Sequence, residues 1–308
     1  MSTAWVAGTI RARELALRRV GAAGARELAV RADLDEALRE LVVTPYGKYA
    51  PPVAGLSEAQ RAVSATLLWH LRVLAGWLPR GGARLLVPLA CGFEVANVAA
   101  LLAGNGHGPA PVEPYRLGAL ETAWRRLEGA GSGPGMRAVL TASAWGDPGG
   151  DSAGAVLTGM RMAAARRTAL AVPQARDWAV GRAALLTARE LFVHGRPLTE
   201  PVRRDAARLL GARATGAASY PRFRELLPAP ARRLLAEAGE PGALWRAEVG
   251  WWRTLRDDGA AMLRDNRFGP RAVVGAVAVL SVDAWRVRAA LESAARGGRV
   301  GEAFDALA

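Results

Sequence analysis

The chain has 308 residues, 51% of them apolar and 22% charged, and carries a formal charge of +13. That balance excludes disorder as the main state and supplies enough chain for one large domain or two to three small ones. A single cysteine, Cys91, excludes an internal disulfide and makes a cytoplasmic home the default.

Helical periodicity runs almost throughout and period-two alternation is nearly absent, so an all-α protein is expected. In chain order, helices are predicted from about Trp5 to Val20, over Ser57–Leu78, Ala153–Ala171, Asp177–Val193, Thr199–Ala214, Leu244–Ala261 and Arg271–Ala294. The clearest is Ser57–Leu78, where Val63, Leu67, Leu71, Leu74 and Leu78 form one apolar stripe. Ser57 and Gln60 read as a capping box at its start, and Pro79 with Gly81 and Gly82 as its stop. Pro270 reads as a first-turn proline for the last helix. Breaks rich in Gly and Pro fall at Pro51–Pro52, Gly104–Pro114, Gly129–Gly135, Gly146–Gly150 and Pro228–Pro230. No secretory signal is visible at the N-terminus. The longest uncharged stretch, Val95–Val112, is interrupted by polar residues, prolines and glycines, and no membrane crossing is expected.

A weak internal repeat carries more information than these breaks. Leu41-Val-Val-Thr44-Pro-Tyr46-Gly47 reappears as Leu140-Thr-Ala-Ser143-Ala-Trp145-Gly146, each reading as a helix end that turns into a loop. Glu94 with Asn97 and Val98 matches Asp283 with Arg286 and Val287; a middle copy from Trp178 to Leu186 has lost the acid. Leu78-Pro79, Val172-Pro173 and Leu227-Pro228 sit at comparable junctions. Three helical units are expected, at 1–110, 111–215 and 216–308. They carry excess charges of +4, +6 and +3, with no basic tail. Lys48 is the single lysine among 41 basic residues. Arginine in place of lysine reads as the coding bias of a GC-rich bacterial genome more than as a nucleic-acid patch.

The chemistry on offer is sparse. Val42 stands where a P-loop leading to Gly47-Lys48 would need its first glycine, and Gly104-Asn-Gly106-His-Gly108 has no preceding strand. His70, His107, His194 and Cys91 show no metal-ligand spacing, so no metal and no cofactor are expected. Cys91 reads as buried and inert, and His70 as a helix-surface or core residue. The acid pairs Asp147/Asp151 and Asp257/Asp258 read as a turn and a solvated helix end, with acid–base catalysis as the rival. Trp69, Trp77, Trp245 and Trp285 fall within helical patterns and read as packing residues rather than stacking platforms for bases. Glu94 and Asn97 share one helix face suited to bonding a neighbouring turn.

The ordered set resembles one family: the C-type (in eukaryotes d-type) central-stalk rotor component of the V-type and archaeal-type rotary ATPases. The likeness lies in Ile10-Arg-Ala-Arg-Glu14-Leu15, Thr44-x-Tyr46-Gly47, Phe93-Glu94-Val-Ala-Asn97 and Arg267-Phe268-Gly269-Pro270. It closes on Asp283-x-x-Arg286-x-Arg288. The resemblance implies three similar helical lobes forming a funnel or socket without catalytic activity of its own. The implied place is the cytoplasmic face of the membrane, between the rotor shaft and the proteolipid ring, where such a protein passes torque for proton transport and can touch an anionic membrane surface. No nucleic-acid partner is expected, although a basic helical nucleic-acid-binding or scaffold protein is the alternative reading. The resemblance marks Thr44, Tyr46, Gly47, Glu94, Asn97, Phe268, Gly269, Asp283, Arg286 and Arg288 as structural motif residues.

Overall fold

Alanine, leucine and arginine are strong helix formers, and their abundance is realised throughout. The computed structural model describes residues 3–49, 54–104, 113–298 and Phe304. It is 77% helix, with no strands among the described residues. The first helices are α1 (Val6–Leu17), α2 (Gly21–Ala29), α3 (Leu34–Leu41), α4 (Leu56–Trp77) and α5 (Ala83–Gly104). Next come α6 (Trp124–Glu128), α7 (Gly133–Thr141), α8 (Ala153–Ala171), α9 (Arg176–Ala188) and α10 (Glu200–Leu210). The last are α11 (Ala212–Thr215), α12 (Tyr220–Leu226), α13 (Ala229–Leu234), α14 (Leu244–Arg264) and α15 (Pro270–Ala295).

Pro270 opens α15 as expected. The capping box at Ser57 does not form, because α4 begins one residue earlier with Gly55 at its N-cap. Gln60 instead donates to the Arg288 carbonyl at 3.2 Å and to Glu292 at 3.1 Å, tying α4 to α15. The Gly129–Gly135 break is shorter than expected: Ser132 accepts from the Gly135 N–H and starts α7, with Pro134 in the first turn, where its missing N–H costs nothing. Leu78, Val172 and Leu227 each end a helix before a proline. Leu227, however, closes the seven-residue α12 rather than a long helix, so the third junction is not equivalent to the other two. The Pro51–Pro52 break and most of the Gly104–Pro114 break, including Gly106, His107 and Gly108, lie outside the described residues.

By length and composition α5 could cross a membrane, although no such segment is expected from the sequence. The uncharged window starts at Val95, whereas the helix begins at Ala83 and takes in the apolar run before Glu94.

The chain divides into two compact units. Unit 1 comprises residues 1–82 and 252–308; unit 2 comprises residues 83–251. In unit 1, α15 is the central element and packs against α1, α2, α3 and α4. Leu28, Leu38, Leu41, Val63, Val287 and Leu291 fill the space between them. The same helix meets the C-terminal half of α14 through glycine. A Cβ on Gly275 would lie 2.7 Å from the Gly259 carbonyl oxygen and 2.8 Å from the Met262 Cβ. Backbone cannot yield there as a flexible side chain would, so Gly275→Val is expected to destabilise unit 1 by about 2–3 kcal/mol, read by chemical denaturation. In unit 2, α8 packs against α5, α9 and α10, and α9 packs against α10 and α13. Phe223, Leu235, Val202 and Leu210 belong to its core.

Candidate functional site

The two repeated turns close in the same way. In unit 1, α3 ends at Leu41 and the Thr44 hydroxyl donates to the Leu41 carbonyl at 2.6 Å, while Thr44 Oγ1 accepts from the Tyr46 N–H at 3.2 Å. In unit 2, α7 ends at Thr141. The Ser143 hydroxyl donates to the Leu140 carbonyl at 2.7 Å and accepts from the Trp145 N–H at 3.1 Å. A small hydroxyl residue two positions before the aromatic thus adds a side-chain donor to a helix-end carbonyl that also accepts backbone N–H, and fixes where the aromatic enters the core. Each turn needs glycine next, for different reasons. A Cβ on Gly47 would lie 1.9 Å from the Val42 oxygen, whereas Gly146 has φ +83°, a left-handed conformation.

Both turns deliver their aromatic to a buried carboxylate. Asp283, on α15 and 1% exposed, accepts from the Val20 N–H at 3.0 Å, the Gly21 N–H at 2.7 Å and the Tyr46 hydroxyl at 2.9 Å. Glu94, on α5 and 1% exposed, accepts from the Thr122 N–H at 2.7 Å, the Ala123 N–H at 2.8 Å and Trp145 Nε1 at 2.9 Å. In each unit the two consecutive N–H groups lie at the start of a helix, α2 or α6. Neither helix has a side-chain cap of its own, since Val20 and Ala123 occupy the N-cap positions. The carboxylate replaces that cap from a distant helix and meets the positive end of the helix dipole.

Burial pushes the Asp283 carboxyl above the ordinary carboxylate range, against the pull of the Gly21, Tyr46 and Val20 donors. Burial, then the Asp283 charge and its hydrogen bond, hold the Tyr46 hydroxyl well above its ordinary value. In unit 2, Arg167 completes the cluster. Its guanidinium carbon lies 4.8 Å from the Trp145 ring centroid and its Nη2 donates to the Thr122 hydroxyl at 2.9 Å. Asn97 clasps the backbone of Tyr115 from both sides, donating to its carbonyl at 2.9 Å and accepting from its N–H at 2.7 Å.

Of the other residues singled out, Arg286 lies one turn along α15 from Asp283 and within reach of its charge. Gly269 donates its N–H to the Thr9 hydroxyl at 3.0 Å, fastening the loop between α14 and α15, and Phe268 beside it is exposed. Arg286 is buried on α15 and Arg288 exposed. Asp147 is held by Arg137 through two contacts of 2.8 and 3.1 Å and accepts from the Gly149 N–H, so its carboxyl lies below the ordinary range. Asp151 meets the same guanidinium at 3.5 Å, and Asp257 pairs with Arg256. Trp77 is half-exposed with the Arg11 guanidinium 6.0 Å from its ring centroid, and Lys48 lies 3.6 Å over the Trp69 ring. Trp252 and Trp285 pair at 5.9 Å.

Cys91 is buried, and burial pushes its thiol up to about 11. His70 is buried in α4, where burial first and then the charges of Arg11, Lys48 and Arg18 push it down to about 4. Among the described residues no group of three His, Cys, Asp or Glu side chains is placed to hold a metal.

The N–H pairs at Val20–Gly21 and Thr122–Ala123 are not evident from the sequence. The available signal is negative: a helix start with neither Ser, Thr, Asp nor Asn at its N-cap. The sequence matches no protein-family model and no curated protein.

Proposed function

We propose that the chain is a non-catalytic central-stalk component of a V/A-type rotary ATPase. It links the rotor shaft to the membrane proteolipid ring and transmits torque for ATP-coupled proton transport, from a peripheral position on the cytoplasmic face of the membrane. The observation that carries this reading is the doubled clamp. Thr44, Tyr46, Glu94 and Asp283, marked by the likeness to the rotary-ATPase stalk family, form two versions of one device together with Ser143 and Trp145. A protein built by repeating a helical lobe would repeat the lobe's internal fastening.

The finer reading is three lobes arranged with pseudo-threefold symmetry. As read from the sequence, the lobes span 1–110, 111–215 and 216–308, with Trp178 of the middle one at the position of the missing acid. In the third lobe α12 is capped by its own Ser219, which accepts from the Arg222 N–H at 3.4 Å. The Trp178 carbonyl instead accepts from Trp251 Nε1 at 2.8 Å. Buried charge-assisted hydrogen bonds are stronger than exposed surface pairs, so each unit is well fastened internally, as a torque-bearing part requires.

The test is affinity purification of the tagged chain from its native cells, without detergent stripping of the membrane. The expected outcome is co-purification of the proteolipid ring and the rotor shaft. Recovery of a clean monomer with affinity for neither sinks the proposal.

A further inference from the structure

Unit 2 contains a cleft of about 270 Å³ whose walls carry Arg161, Arg182, Arg189 and Arg196 with Glu190 and Glu248. The carboxylates are already committed. Glu248 meets Arg189 at 2.9 Å and Arg182 at 3.4 Å, and Glu190 takes a two-point contact from Arg196 at 3.0 and 3.1 Å. These pairs hold three guanidiniums in place around the opening and leave Arg161, on α8, with no hydrogen-bond or ion-pair partner among the described residues. Partial loss of hydration in the cleft, and then the neighbouring charges of Arg182 and Arg189, lower the Arg161 pKa, with Glu190 opposing them.

The backbone at this wall is also irregular. The expected helix Asp177–Val193 ends at Ala188 and continues as one π-helical turn, Arg189–Val193. That turn carries Arg189 and Glu190 into the cleft wall, and π-turns recur where a helix is reshaped around a functional site.

We propose that this cleft binds a phosphoryl oxyanion, with Arg161 as its principal ligand and Arg182 and Arg189 as supporting donors. Four guanidiniums against two carboxylates leave an excess of two positive charges, which suits an oxyanion that offers several charge-bearing oxygens at once. The planar guanidinium fork suits its oxygens, and the opening to solvent lets the anion enter. The phosphoryl group can belong to a free phosphate compound or to a lipid headgroup.

The purified full chain distinguishes these sources. Calorimetric titration with inorganic pyrophosphate is compared for the unmodified chain, Arg161→Gln and Arg213→Gln, the last removing an equal charge at an exposed position of α11. Sedimentation with phosphatidylglycerol vesicles, against neutral phosphatidylcholine vesicles, is run on the same three proteins. Saturable pyrophosphate binding that weakens about tenfold or more in Arg161→Gln and is unchanged in Arg213→Gln supports the site with a soluble ligand. Vesicle binding alone, lost in Arg161→Gln and kept in Arg213→Gln, supports it with a headgroup. Absence of binding in both assays, or equal loss in the two variants, overturns it. Because the ligand and readouts are separate from ring and shaft, either result leaves the stalk proposal to its own test.

Discussion

Asp283→Asn and Glu94→Gln are each expected to lower unfolding free energy by about 3–5 kcal/mol, measured by urea denaturation. Each carboxylate accepts three hydrogen bonds while almost fully buried. The amide keeps the shape but has one accepting oxygen, and its NH₂ faces N–H donors that then lack a partner. A buried donor left unsatisfied costs about 1–3 kcal/mol, more where the lost acceptor was charged. The result that would sink the clamp is a loss below about 1 kcal/mol for either variant.

A second measurement separates the clamp from general damage to the core. Tyr46→Phe removes only the hydroxyl that donates to Asp283 at 2.9 Å. Combined with Asp283→Asn, it is expected to add far less than its own effect, because the two groups share one bond. Additive losses would mean that the Tyr46 hydroxyl contributes independently of Asp283.

His70 sets the expected response to acid. Its native pKa of about 4 lies below the ordinary 6.5, so between those values the unfolded chain binds a proton that the folded chain refuses. Stability therefore rises with pH through that window and is lost as pH falls from about 6.5 towards 4, by about 3 kcal/mol in full. Asp283 acts in the opposite sense: its raised native pKa makes folding less favourable as pH climbs above the ordinary 3.8. The His70 contribution is accordingly read as the difference between the natural chain and His70→Gln. The variant should show a flatter profile between pH 6.5 and 4, and an unchanged slope would remove His70 as the cause.

The all-helical class is legible because helix formation is decided by propensity and by an apolar period spanning only a few turns. The paired turns at Leu41–Gly47 and Leu140–Gly146 are legible for a similar reason: their hydroxyl hydrogen bonds reach only two or three residues along the chain. Even so, the local reading of Ser57 and Gln60 as a capping box fails, since Gln60 gains two partners on α15 more than 200 residues away. The boundary of the units at Trp251 and Trp252 is also invisible, because it falls inside the uninterrupted helix α14.

Residue order is enough to establish seven helices, among them the long α4, α8, α14 and α15, together with the two hydroxyl-aromatic turns and the positions of the two acids. What those acids hold emerges from packing: Asp283 caps a helix start 262 residues earlier in the chain, and Glu94 one 28 residues later. Packing likewise gathers Arg161, Arg182, Arg189 and Arg196 around one cleft. Periodicity and capping rules act over a turn or two of chain, whereas a buried carboxylate or a cleft guanidinium acquires its role from whichever backbone the core brings beside it.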